Sequence, residues 1–280
     1  MSFGLALEGG GMRGVFTTGV LDVFLENNIS FDCVAGVSAG ACHACSYISG
    51  QVGRSLRVCT DYTDNKEYCG IYPLITTGDI FGSEFMYHTI PEKLDPLDNE
   101  AFIRNKTVMY AVVTNCETGK PEYYRINDAF RDVEYIRASS SLPGFSKMVE
   151  IDGKKFLDGG ITDSIPVNFL VDSGFEKNVV VLTQPRNYVK GPNKLLAFFK
   201  LKYKQYPALV DAIEKRHIVY NAVREHIFEM EKQGRIFVID PKEPLNIART
   251  EKNRSKLFAA YNIGRSTAEE RLEALKKFLK

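Results

Sequence analysis

Five residues, Gly36-Val37-Ser38-Ala39-Gly40, stand between an apolar run, FDCVA, and a run of small residues, ACHACSYISG. The first run has the character of a buried strand and the second that of a helix, so the pentapeptide must turn one into the other. Glycines two positions either side of a serine remove side chains that would strike the crossing backbone, and the serine is held in a strained conformation. A similar unit precedes it: residues 3–7 read as a strand, Gly9 to Gly14 spell GGGMRG, and residues 14–26 read as a helix. Short apolar runs alternating with longer amphipathic segments direct the chain to an α/β fold with a largely parallel sheet.

The remaining segments extend this pattern. Strands are expected over 107–114, 122–126, 178–183 and 235–240, the second pairing with the first through the turn ETGKP. A hairpin lies within 145–157, turned at Asp152-Gly153, and residues 72–99, rich in glycine and proline, read as an irregular covering segment. Helices are expected over 39–49, 52–66, 128–138, 207–233 and 266–280, with Gly234 ending the fourth. The simplest division is a catalytic α/β part, 1–185, and a C-terminal helical extension, 186–280, packed on it. A chain of 280 residues can be one large domain or two small ones.

GGGMRG satisfies a dinucleotide-binding pattern, but that pattern needs a carboxylate ending the second strand. Here Asp32 opens that strand, and GVSAG occupies its end. The alternative use of such a loop is an oxyanion hole, in which the amides of Gly9, Gly10 and Gly11, with Met12 or Arg13, converge beside a helix N-terminus. Arg13 could add charge or contact a substrate phosphate. A third motif, DGG at Asp158–Gly160, ends the strand KKFLDGG and leaves a carboxylate open to a neighbour. The residues by themselves indicate an α/β protein with an acyl-transfer site.

In order, strand-GGGMRG-helix, strand-GVSAG-helix and DGG resemble the patatin-like phospholipases over residues 3–184. ASSSLPGFS (138–146) is similar to the segment preceding that family's aspartate and is expected at the pocket wall. The resemblance implies a three-layer α/β/α fold and a serine lipid acyl hydrolase of phospholipase A or esterase type. It implies Ser38 as nucleophile, Asp158 as base and the Gly9–Arg13 loop as oxyanion hole, with Gly14, Gly36, Gly40, Gly159 and Gly160 as motif glycines. Such chemistry requires no metal or organic cofactor, and lipid acyl esters are the expected substrates. A catalytically silent lipid-binding regulator, and a thioesterase or small-ester esterase, are the alternatives.

An aspartate is a weak base for a hydroxyl unless its pocket desolvates it. A Ser-Asp-His triad competes, because His217 and His226 follow Asp158 in the chain. Ser38, however, comes after only the second strand, and both histidines fall on or beside the apolar stripe of the 207–233 helix. Cys42, His43 and Cys45 lack the second ligand pair of a zinc site.

Six basic and no acidic residues occupy 186–206, together with Leu195, Phe198, Phe199 and Tyr206. This segment either packs on the core beneath a solvated basic rim or makes transient contact with an anionic membrane surface. A net charge of +1 gives no case for nucleic acid. Absence of a long apolar run or secretion signal, with six cysteines in no framework spacing, leads us to expect a soluble cytoplasmic protein, peripheral at most to membranes. Oligomeric state is left open.

Overall fold

The computed structural model describes residues 2–280. Its strands are β1 (Phe3–Leu7), β2 (Cys33–Val37), β3 (Val108–Asn115), β4 (Pro121–Ile126), β5 (Val149–Ile151), β6 (Lys154–Asp158), β7 (Lys177–Val181) and β8 (Ile236–Ile239). They form one sheet in the order β5-β6-β3-β2-β1-β7-β8, with β4 also paired to β3. From β3 through β2, β1 and β7 to β8 the strands are parallel, whereas β4, β5 and β6 add antiparallel pairings at the other end.

Helices α1 (Val15–Glu26), α2 (Ala39–Ile48), α3 (Arg54–Thr60), α4 (Ile71–Thr76), α5 (Asn99–Arg104), α6 (Val133–Ser139), α7 (Val167–Asp172), α8 (Leu196–Lys202), α9 (Pro207–Lys232) and α10 (Arg254–Phe278) complete the fold. Alternation along the buried strands assigns the layers. Leu5, Leu7, Val34, Val179 and Val181 pack with residues of α1, α2 and α10, and Ala6, Ala35, Val180 and Val238 pack with those of α7 and α9. The result is a three-layer α/β/α arrangement, as expected from the sequence. The C-terminal part is built into it, since β8 extends the sheet and α10 crosses α1. At that crossing Gly19 faces the Tyr261 carbonyl and Gly264 the Phe16 carbonyl, a backbone approach that leaves no room for a Cβ.

Several elements differ from the sequence expectation. The helix expected over 52–66 ends at Thr60, where Thr60, Asp61 and Thr63 engage one another and the backbone through their side chains. Within 72–99 lies a ten-residue π-helix, Phe85–Leu94. Pro91 lacks an N–H there, and Asp95 donates back five residues to the Ile90 carbonyl. The last helix starts at Arg254 rather than near 266, capped by the Asn253 side chain accepting the Lys256 N–H at 3.1 Å. No helix among the described residues is long and apolar enough to cross a membrane.

Candidate active site

The register of β3 brings the two halves of the site together. Val37, at the end of β2, lies opposite Val112, and Asp158, at the end of β6, lies opposite Val113. Because β4 occupies the other edge of β3 from Met109 to Thr114, β2 and β6 must share one edge and meet end to end. Their last residues therefore deliver Ser38 and Asp158 to one place from positions 120 residues apart in the sequence.

Ser38 has φ 55° and ψ −125°, a conformation rarely adopted by residues with a side chain, and is 6% exposed. The glycines on either side make the turn possible. A Cβ on Gly36 would come within 2.7 Å of the Ala41 backbone, and one on Gly40 within 2.6 Å of the Leu7 carbonyl. The Ser38 N–H donates to Ser139 Oγ at 2.9 Å. Two residues on, the Ser141 carbonyl accepts the Asp158 N–H at 2.8 Å. The 138–146 segment thus braces serine and aspartate at once, and its Leu142 lines the cavities beside them.

Asp158 is 5% exposed, and its Oδ1 accepts the Gly160 N–H at 2.7 Å. Burial raises its pKa. The Arg216 charge, the Ser38 hydroxyl and the Gly160 N–H oppose that rise by favouring the carboxylate. Gly159 packs against the Val112 carbonyl, where a Cβ would not fit.

In the glycine loop the amides have separate fates. Gly9 donates to the Ser164 carbonyl at 3.4 Å and Met12 to the Arg249 carbonyl at 3.0 Å, so two of the five expected donors have internal partners. Gly10 and Gly11 donate to no group among the described residues. They lead into the 3-10 turn Gly11–Gly14 and then α1. Gly11 has φ +56°, and a Cβ there would lie 2.7 Å from the Arg249 carbonyl. Gly9 abuts the Val37 carbonyl and Ser38 Cβ, and Gly14 abuts Ala39 and His43. The Arg13 side chain turns into the polar cavity, with its buried Nε unpartnered.

Two cavities meet at Ser38. The larger is apolar; Met12, Cys42, Val58, Phe81, Met86 and Tyr87 contribute to its wall. A second apolar space shares Met86 and Tyr87 and continues to Ile90, Leu97 and Phe130, so the π-helix forms one side of the channel. The smaller cavity is polar and is lined by Asp158, Glu8 and the glycine loop.

No histidine hydrogen-bonds Ser38 or Asp158 among the described residues. His43 lies in the apolar wall with its Nε2 unpartnered, and burial lowers its pKa to about 4, so it is neutral. His217 Nδ1 faces the Glu214 carbonyl of its own helix at 3.0 Å. His226 is exposed on the same helix.

Sequence reasoning missed Glu8, Lys190, Arg216, Tyr220 and Arg249, and it expected the 138–146 segment at the pocket wall without singling out Ser139. Glu8, 2% exposed, accepts the Thr183 N–H and the Tyr220 hydroxyl, each at 2.6 Å, and so ties the glycine loop to α9. Its one sequence signal is an acid placed at the end of a buried strand. In the 186–206 segment, Phe199 and Tyr203 pack inward with Leu157 and Ile213, while Leu195, Phe198 and Leu201 remain exposed beside lysines.

Comparison with known proteins bears on this geometry. The family model "Patatin-like phospholipase" matches residues 5–171, and "Domain of unknown function (DUF6363)" matches residues 206–280. The chain is 28% identical over 281 residues to "Uncharacterized protein YjjU" of Escherichia coli, covering 98% of this chain and 78% of that protein. It is 29% identical over 185 residues to "Lysophospholipase nte1" of Aspergillus oryzae, covering 62% of this chain and 11% of the relative. To "Lysophospholipase NTE1" of Saccharomyces cerevisiae it is 30% identical over 176 residues, covering 59% and 10%. The chain thus spans about a tenth of the length of these lysophospholipases. Among solved structures, VipD from Legionella pneumophila superposes with a TM-score of 0.54 at 13% identity, covering 98% of this chain and 67% of that one, a likeness of fold.

Proposed function

The chain belongs to the patatin-like phospholipase family, and we propose that it is a serine lipid acyl hydrolase of phospholipase A or esterase type, acting through Ser38 and Asp158. The observation that carries the reading is the end-to-end meeting of β2 and β6, which sets a strained serine beside a desolvated carboxylate at the mouth of an apolar channel. As Ser38 Oγ attacks the ester carbonyl, its proton passes to Asp158. The free N–H groups of Gly10 and Gly11 receive the oxyanion, with the α1 N-terminus behind them. Collapse breaks the acyl–oxygen bond, and Asp158 protonates the departing alcohol. Water then gives its proton to Asp158, attacks the acyl-enzyme and releases the fatty acid while Ser38 recovers its proton.

The acyl chain lies in the apolar channel against Met86 and Tyr87. The engagement of His217 with its own helix supports an aspartate rather than a histidine as the base. We divide the chain at residue 185 into a catalytic part and an extension that contributes α9 and α10. Six unpaired thiols support a reducing, cytoplasmic setting. The exposed Phe198 and Leu201 beside lysines support transient contact with an anionic membrane surface.

The test is direct. Wild type and Ser38→Ala are incubated with a mixed lipid extract and the products read by mass spectrometry, alongside labelling by a fluorophosphonate probe. Free fatty acid and labelling that both vanish in Ser38→Ala are expected. A wild type that neither releases fatty acid nor takes the label would assign the fold to a silent lipid-binding protein instead.

A further inference from the structure

The polar cavity beside Ser38 contains more than a dyad requires. Arg13, Lys190, Arg216 and Arg249 all line it, against the carboxylates Glu8 and Asp158. Three arginines and a lysine face two carboxylates, so positive groups outnumber negative ones around this cavity. The anions are already occupied: Glu8 binds the Thr183 N–H and the Tyr220 hydroxyl, and Asp158 binds the Gly160 N–H. None of the four cations forms an ion pair among the described residues. Other arginines do, with Arg186 2.7 Å from Glu231 and Arg265 2.7 Å from Glu26.

The orientation of each cation adds to this. Arg13 Nε is buried with no partner, a costly arrangement unless a ligand completes it. Arg216, which lines the cavity, donates from Nε to the Gly160 carbonyl, and its terminal nitrogens donate to no group among the described residues. The Lys190 ammonium stands 4.0 Å from the Tyr220 ring centroid. Arg249 rests on the glycine loop through its carbonyl, which accepts the Met12 N–H. The cations also repel one another: burial, then the charges of Arg216, Arg249 and Arg13, push Lys190 down to about 7. A compact dianion with several acceptor oxygens relieves that repulsion and supplies the missing partners.

We propose that the chain beyond residue 185 completes the reaction centre with a phosphate subsite, in which Lys190, Arg216 and Arg249 join Arg13 to hold a phosphate group beside the ester at Ser38. The inference rests on the reading of Ser38 as nucleophile. An acylated glycerophosphate presents ester and phosphate in one molecule, its acyl chain in the apolar channel and its headgroup in the polar cavity. Free phosphate acting beside a neutral ester is the other source of the same chemistry.

The full-length protein is assayed on hexanoyl lysophosphatidate and monohexanoylglycerol, both as dissolved monomers, and inorganic phosphate is titrated in by calorimetry. Arg249→Gln and Lys190→Gln are the variants, on separate segments, so that misfolding of one leaves the other informative. A fall of roughly tenfold or more in the ratio of kcat/KM for the phosphorylated over the neutral ester, carried by KM, is the result expected of a headgroup site. An unmoved ratio, with phosphate binding present in wild type and lost in the variants, assigns the subsite to free phosphate. An unmoved ratio without loss of phosphate binding overturns the proposal, as does an equal loss on both esters. If wild type cleaves neither ester and Ser38 takes no label, the nucleophile reading has failed and the phosphate titration alone decides the subsite.

Discussion

Replacing Asp158 by asparagine separates the chemistry of the carboxylate from its place in the fold. An asparagine Oδ1 still accepts the Gly160 N–H now bound at 2.7 Å, and the main-chain bonds of residue 158 to Ser141 and Thr114 do not involve the side chain. What disappears is the proton acceptor. General-base assistance is worth roughly 10²–10⁴ in rate, or about 2.7–5.5 kcal/mol of barrier, and kcat/KM should fall by that factor. Stability moves the other way. Burial holds the folded Asp158 pKa above the ordinary 3.8, so the folded state binds the proton more tightly than the unfolded chain. Stability is then lost as pH rises from the unfolded pKa through the folded one, and the full penalty stands at neutral pH. Asparagine carries no such penalty, although the half-buried Arg216 loses a nearby counter-charge, so the melting temperature at neutral pH should match or exceed that of wild type. The raised pKa also sets the acid limb of the wild-type kcat/KM profile above that of an ordinary aspartate, with activity rising as Asp158 ionises. Initial rates on a chromogenic ester across the acidic and neutral range, with a thermal melt of each variant, measure all three quantities. An Asp158→Asn enzyme keeping more than about a tenth of wild-type kcat/KM would refute the assignment. So would a His217→Ala enzyme that loses as much as Asp158→Asn.

Three further predictions concern the surroundings of Ser38 and the packing that supports them. Ser139→Ala strips the buried Ser38 N–H of its acceptor, which should cost roughly 1–3 kcal/mol, read as a lower melting temperature together with a reduced kcat. Gly264→Ala forces a methyl into the Phe16 carbonyl where α10 crosses α1; overpacking of about 1–3 kcal/mol should lower the melting temperature by roughly 2–4 °C per kcal/mol. Met86→Trp narrows the apolar channel, so kcat/KM for long-chain esters should drop relative to short-chain ones, and an unchanged chain-length profile would place the acyl group elsewhere.

Much of the catalytic half was legible because its signals are local. A strand, a glycine-framed serine and a small-residue helix are neighbours in sequence, and their steric requirements can be read from residue types alone. β2, α2, the β5–β6 turn at Asp152-Gly153 and the inward stripe of α9 all have that character. The π-helix over Phe85–Leu94 was hidden because proline in a covering segment suggests irregular chain, and only packing around Ile90 shows that a wider helix accommodates it. The early start of α10 was hidden because its cap is a single asparagine in a charged stretch.

Local pattern in the sequence was enough for a parallel α/β core, a serine on a strained turn, a glycine loop ahead of a helix and an acid at a strand end. The tertiary structure alone decided which of these meet. Ser38 and Asp158 share an edge of β3 through strand register, which is a long-range pairing invisible to local pattern. Gly10 and Gly11 became the available donors only because Ser164 and Arg249 took the amides of Gly9 and Met12. The cations of the polar cavity sit on a long amphipathic helix and two loops, where a basic residue in sequence reads as a solvated one. Folding turned Arg216 toward the serine because Tyr220 and Glu8 bind α9 to the glycine loop, while Asn221 of α9 holds the Lys190 backbone and the Met12 N–H holds that of Arg249.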